Sequence, residues 1–106
     1  MELLEKNPDL DSIICSTEYA SVGAIEACVE LGINIGKDIS LITYDGPVVE
    51  SLTNPKITAV AHPLEELGKK AIEILMNQHK NTDISSYLAV PHIIERGSVR
   101  SLIKSY

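Results

Sequence analysis

An α/β fold, with helices flanking a parallel sheet, is what this sequence predicts, and two stretches of the same form predict it. Ser12-Ile13-Ile14-Cys15-Ser16-Thr17-Glu18 and Ile39-Ser40-Leu41-Ile42-Thr43-Tyr44-Asp45-Gly46 each run from a short apolar segment into polar residues and an acid. Near-continuous apolar runs of this length suit strands buried on both faces. A stretch of one-sided helical periodicity lies between them. Ser12 to Asp45 therefore has the length of one βαβ crossover, whose strands should be parallel neighbours. In open α/β sheets ligands bind at the carboxyl ends of the strands, and both stretches carry an acid to that end.

Each element has its own local reason. Met1 to Pro8 reads as the end of a helix rather than a secretory signal, since it has neither a basic region nor a longer apolar core. Thr17 is placed to cap a helix with Glu18 in its first turn. Val22, Ile25, Cys28, Val29 and Leu31 then recur at helical spacing, with Glu26 and Glu30 pointing outward and Gly32 ending the helix. Ile33 to Asp38 makes a turn-rich connection to the strand Ile39 to Tyr44. Pro47 to Leu52 suits one short helix, broken by Thr53-Asn54-Pro55-Lys56 before a strand at Ile57 to Ala61. Pro63 opens a longer helix with Glu65 and Glu66 at its amino end and an apolar stripe of Leu64, Leu67, Ala71, Ile74 and Leu75. Glu65 with Lys69 and Glu66 with Lys70 should brace its wet face. Asn77 to Ser86 is polar and irregular. Tyr87 to Ile94, broken by Pro91, reads as an edge strand, and the tail after Arg96 as loose.

A chain of 106 residues is one domain or part of one, with a modest core. Hydrophobic residues make up 44% and charged residues 23%, and no eighteen apolar residues run together, so a globular chain without a membrane span is expected. A cytoplasmic location follows as the expectation. The net charge of −6 opposes a nucleic-acid surface within these residues, because phosphate binding is driven by clustered Lys and Arg. Arg96, Arg100 and Lys104 are too sparse to supply one. Cys15 and Cys28 fall at apolar positions and read as reduced thiols packed as small hydrophobes. Neither they nor His79 and His92 have partners at metal-ligand spacing, so no metal and no cofactor is expected.

The order of landmarks resembles a known family. Cys15-Ser16-Thr17-Glu18-Tyr19-Ala20-Ser21-Val22-Gly23-Ala24, then Glu30-Leu31-Gly32-Ile33, Asp38-Ile39-Ser40 and Tyr44-Asp45, are similar in order and spacing to the carboxyl-terminal third of the lactose/galactose-type (LacI/GalR) bacterial transcriptional repressors. The related periplasmic sugar-binding proteins share the pattern. Asn54-Pro55-Lys56-Ile57-Thr58, His62-Pro63-Leu64-Glu65-Glu66-Leu67-Gly68 and Ile94-Glu95-Arg96-Gly97-Ser98 extend the resemblance from about Pro8 to Arg100. Two departures stand out: Thr17-Glu18 where the family has Asn-Asp, and Gly46 where many repressors carry a second acid. Asp-Gly is found in ribose-type sugar binders, which leans the effector toward a sugar.

The resemblance implies a two-lobed periplasmic-binding-protein-like, or Rossmann-like, fold with the ligand in the cleft. Residues 1–56 and 89–100 would belong to the carboxyl-terminal lobe, and 57–88 would be the crossover and helix of the other. Operator DNA would be met by an amino-terminal helix-turn-helix headpiece that this chain does not contain. Asp45 matches the family's sugar-binding acid, since a carboxylate can accept two charge-assisted hydrogen bonds from neighbouring hydroxyls. Its alternative is a turn-former before Gly46 and Pro47. Thr17 either contacts ligand or only caps its helix. His62, where relatives carry a Gln at the hinge, either meets a hydroxyl or starts a helix. Glu18 and Tyr44 are further lining candidates, against a helix-dipole role for Glu18 and plain packing for Tyr44. Val22, Ala24, Val48, Val49 and Leu52 match surfaces through which the family's lobes form homodimers, against ordinary internal packing.

The implied function is effector sensing, and the motifs of catalysis are missing: there is no Gly-x-Ser-x-Gly, no phosphate loop and no dinucleotide fingerprint. A non-enzymatic role is therefore expected, with a receiver-like or hydrolase domain as the reading from another class. A transport-type sugar binder is the alternative among binding proteins.

Overall fold

The computed structural model describes residues 1–45, 53–79 and 86–102. In chain order the elements are α1 (Glu2–Lys6), β1 (Ser12–Cys15), α2 (Glu18–Glu30), β2 (Ser40–Tyr44), β3 (Thr58–Ala61), α3 (Leu64–His79) and β4 (His92–Ile94). The strands form one sheet in the order β1-β2-β3-β4. β1 and β2 are parallel, with Ser12 opposite Ser40 and Cys15 opposite Thr43, and β3 continues the parallel arrangement with Thr58 opposite Ile42. The expected βαβ crossover is present. The expected helix at Pro47 to Leu52 lies outside the described residues, as does Gly46.

The chain divides into two compact units, one formed by Met1–Ala61 with Ile93–Tyr106 and the other by His62–His92. In the first unit, Leu4, Ala27, Cys28 and Ile39 form one buried cluster, and Cys15, Leu41 and Ile57 form another. Ile13 and Ile35 pack against both. α2 buries Ser21, Ala27 and Cys28, with Ala24 and Ile25 half-buried. Val22, Val29 and Leu31, expected on that inner stripe, are exposed, Val29 by 73%. Positions 21, 24 and 28 satisfy helical spacing as well as the larger residues do, and small side chains allow the helix backbone to approach the strands closely.

The tail overturns its sequence reading. Because β3 begins opposite Ile42, the preceding β2 residues Ser40 and Leu41 lie beyond its paired length. Residues 98–100 fill that place. Leu41 N–H donates to the Ser98 carbonyl at 3.0 Å, the Ser98 hydroxyl donates to the Leu41 carbonyl at 2.5 Å, and Arg100 N–H donates to Ser40 Oγ at 3.1 Å. Thr58 N–H donates to Ser98 Oγ at 2.7 Å, and the Arg96 guanidinium donates to the Ile57 carbonyl at 2.6 Å. Ser98 is fully buried. A segment that looked unstructured by periodicity is thus tied down by backbone and hydroxyl hydrogen bonds, which hydrophobic patterning does not register.

The second unit is built on α3. The expected Glu65–Lys69 pair forms at 3.0 Å, while Lys70 pairs with Glu73 at 3.3 Å. Glu66 accepts a hydrogen bond from the Tyr87 hydroxyl, and the Lys70 ammonium lies 5.4 Å from the centroid of the Tyr87 ring. Of the predicted stripe, Leu67 and Ile74 are half-buried, and Leu64, Ala71 and Leu75 are exposed. The last strand is shorter than expected. Residues 86–91 have no regular structure and β4 spans only His92–Ile94 at the edge of the sheet, in keeping with a Pro91 that cannot donate to a ladder.

Candidate functional site

The register sets the site. Pairing of Cys15 with Thr43 brings Ser16-Thr17-Glu18, leaving β1, and Tyr44-Asp45, ending β2, to the same end of the first unit. This is the carboxyl end of both strands, where the open sheet presents polar groups.

Thr17 is extended, with φ −140° and ψ 158°, and its hydroxyl oxygen accepts from Ala20 N–H at 3.1 Å. The cap reading is therefore correct for this residue. A hydroxyl has one donor and two acceptor sites, and the cap uses one acceptor. Glu18 follows in the first turn and is half-buried. Tyr44 is exposed. Asp45 has φ +50°, in the left-handed region that Asp and Asn enter more readily than other non-glycine residues. Its N–H donates to the Val60 carbonyl at 2.8 Å, so the turn leaving β2 is held by β3. A non-glycine residue kept in this region at the end of a central strand is the kind of local strain that points toward function.

Beneath these residues lies a polar contact that periodicity missed. Ser21 and Thr43 are both fully buried, and their hydroxyls share a hydrogen bond. The Ser21 hydroxyl also donates to the Thr17 carbonyl at 3.1 Å, and Ser21 N–H reaches the same oxygen at 3.2 Å. Burial pushes the Cys15 thiol up from its usual range, partly offset by the neighbouring Ser21 hydroxyl. Cys28 is pushed up by burial and by the nearby Cys15. The signal for the hydroxyl pair was present in the spacing: Thr43 alternates with buried Leu41, and Ser21 lies one turn after Thr17.

Thr17, Glu18, Tyr44 and Asp45 thus share the first unit. His62 is the first residue of the second unit, half-buried, with its carbonyl accepting from Leu64 N–H at 2.9 Å. Val22 is exposed on α2, and Ala24 packs against the cluster of Cys15, Leu41 and Ile57. Val48, Val49 and Leu52 lie outside the described residues. A cavity of about 410 Å³, lined by Ile25, Cys28, Gly32, Ile35, Asn54 and Ile57 among others, sits toward the opposite, amino ends of β2 and β3 and contains none of the candidates. Among the described residues no three His, Cys, Asp or Glu side chains are grouped to hold a metal ion, and no helix is long and apolar enough to cross a membrane. The arrangement offers hydroxyl and carboxylate groups for hydrogen bonding to a polar ligand.

Comparison with known proteins places the chain among relatives. Residues 1–99 match the family model of the periplasmic binding protein-like domain. The HTH-type transcriptional regulator MalR of Streptomyces coelicolor is 28% identical over 95 residues, covering 88% of this chain and 28% of MalR. The HTH-type transcriptional repressor PurR of Vibrio atlanticus is 30% identical over 103 residues, covering 95% of this chain and 31% of PurR. The chain therefore spans about three tenths of the length of these curated relatives. Among solved structures, a LacI family transcriptional regulator from Arthrobacter sp. FB24 in complex with lactose superposes with a TM-score of 0.80 at 23% identity, covering 92% of this chain and 38% of the other.

Proposed function

The chain belongs to the periplasmic binding protein-like domain family, and from that membership we propose that it is the effector-sensing part of a LacI-type, DNA-binding transcriptional regulator, with a sugar as its effector. The observation that most supports this reading is the convergence of Thr17, Glu18, Tyr44 and Asp45 at the carboxyl ends of two parallel strands in one unit. Asp45 accepts hydrogen bonds from adjacent sugar hydroxyls, a charge-assisted contact stronger than a neutral one. Thr17 contributes its hydroxyl while capping α2. Tyr44 and Glu18 line the same end, and His62, the first residue of the second unit, is a further candidate contact.

In this proposal the carboxyl-terminal lobe is built from residues 1–56 and 89–100 together with Ile57 and β3, which the expected boundary had assigned to the other lobe but which pack and pair with β2 in the first unit, and the helix that follows belongs to the other lobe. Effector binding favours one arrangement of the lobes and so shifts the equilibrium of attached DNA-binding parts. Operator DNA is met by a headpiece outside these residues, in keeping with the chain's net charge of −6. Two regulators pair through the surface that includes Val22, Val48, Val49 and Leu52, while Ala24 packs inward against Cys15, Leu41 and Ile57 and follows the internal-packing alternative. The protein works in the cytoplasm, without cofactor or catalysis. Regulators as relatives support this reading over a transport-type binder, and the lactose complex of a neighbour in fold supports a sugar as first ligand to try.

The test is Asp45→Asn in the regulator that carries this chain. Asn keeps the left-handed backbone accessible while removing the charge. The reading requires loss of effector response with operator binding retained; equal loss of both would make Asp45 a structural residue and contradict it.

A further inference from the structure

We infer that Ser21 and Thr43 are positioning residues for effector binding: their shared hydrogen bond fixes the amino end of α2 against β2 and so sets how Thr17 and Asp45 stand to each other. The inference deepens the proposed function and rests on it.

Three observations carry it. First, both hydroxyls are fully buried at the contact between helix and strand, where the other inward residues of α2 are small or apolar and their packing is non-directional. A hydrogen bond between buried hydroxyls has a preferred distance and angle, and in a low-dielectric interior it resists sliding. Second, each partner is joined to one arm of the site. Ser21 holds the Thr17 carbonyl through both its hydroxyl and its N–H, at 3.1 and 3.2 Å. Thr43 precedes Tyr44 directly and is two residues from Asp45, on the same strand. Third, the β1–β2 ladder at Cys15 and Thr43 aligns the strands, but the helix that follows Thr17 lies outside that ladder. The Thr17 hydroxyl is committed to its own helix at Ala20, while Asp45 is anchored to β3 through Val60. The Ser21–Thr43 contact joins these two systems within the core.

Binding groups need their partners placed to within about half an ångström, so a helix end free to slide would weaken effector binding without unfolding the chain. The double variant Ser21→Ala/Thr43→Val tests this. It removes both hydroxyls together, so neither is left buried without the other, and such paired removal is far milder than a single deletion. Amide hydrogen exchange of the whole chain, read by NMR, should show Ala20, Ser21 and Asp45 exchanging about tenfold faster, with Leu41, bonded to Ser98 on the far side of the strand, unchanged. Thr43→Ser keeps the hydroxyl and should restore the slow rates. Unchanged exchange at all four amides, or equal acceleration at all four, would overturn the inference.

Titration with lactose, maltose and ribose of the full regulator that carries this chain, with and without the same substitutions, separates the two claims. Wild-type binding with about tenfold weaker binding by the double variant supports positioning. Equal affinities would overturn positioning and leave the sugar-sensing reading standing. No binding by the wild type would contradict the sugar reading and with it the effector role of the pair.

Discussion

Replacing Ser98 by Ala should destabilise the fold by about 3 kcal/mol, although the change deletes a single oxygen atom. That oxygen accepts from Thr58 N–H at 2.7 Å and its hydroxyl donates to the Leu41 carbonyl at 2.5 Å. All three residues are buried, with Ser98 and Leu41 at 0% exposure and Thr58 at 3%, so water cannot replace the lost partner without rearrangement. Each buried polar group left unpaired costs about 1–3 kcal/mol, and two such groups give the figure of about 3 kcal/mol when some relaxation is allowed. For a chain of this size that corresponds to a fall in Tm of roughly 12–20 °C. Urea unfolding followed by far-UV circular dichroism measures it, with an unchanged m-value showing that the unfolded state is not what moved. Val99→Ala, at a neighbouring exposed side chain, should change stability by no more than about 0.5 kcal/mol. A loss below about 0.5 kcal/mol for Ser98→Ala would refute the clamp and leave the tail as loose as its sequence suggests.

Other consequences follow from single groups. Thr17→Ala removes the cap at Ala20 N–H and should cost about 1 kcal/mol in thermal or urea unfolding, with Thr17→Ser retaining most of it. Cys15 and Cys28 have thiol pKa values raised chiefly by burial; a thiol-specific reagent at pH 8 should modify both only as fast as the chain unfolds, and rapid labelling of the native protein would contradict their burial. Because those folded-state values are raised, the associated stability is complete below the unfolded value of 9.0 and is lost as pH rises through the folded values. Asp38 has the opposite sign. Hydrogen bonds from the Asn34 backbone and side chain hold its carboxyl below 3.8, so its contribution is present above that value and is lost as pH falls through the lower folded one. The stability gap between wild type and Asp38→Ala should therefore close in acid, and a gap independent of pH would show that charge plays no part.

What could be read from residue pattern alone follows a physical division. The βαβ unit was legible because two apolar runs and a helical stretch with a Thr17 cap each carry a local signature, although the first run is buried only at Cys15 and leaves Ile14 72% exposed; the place of Asp45 at a strand end was legible for the same reason. The face of α2 was misassigned because large apolar residues at 22, 29 and 31 compete with small ones at 21, 24 and 28 for the same periodicity, and close packing on a sheet selects the small ones. The Ser98 clamp and the Ser21–Thr43 contact were hidden for a related reason. Both depend on buried hydroxyls whose partners lie 22 to 57 residues away, and polar residues in a sequence register as surface until the partner is known. His62 was named from resemblance, and the first unit by itself contains the other four candidates.

The central claim is that the carboxyl ends of β1 and β2 receive the effector. An NMR titration of the isotope-labelled chain with lactose tests it most directly, by showing which amides respond. Changes should concentrate at Thr17, Glu18, Tyr44 and Asp45; changes confined to Ile25, Cys28, Gly32 and Asn54 would place the ligand in the cavity at the other end of the sheet and contradict that claim.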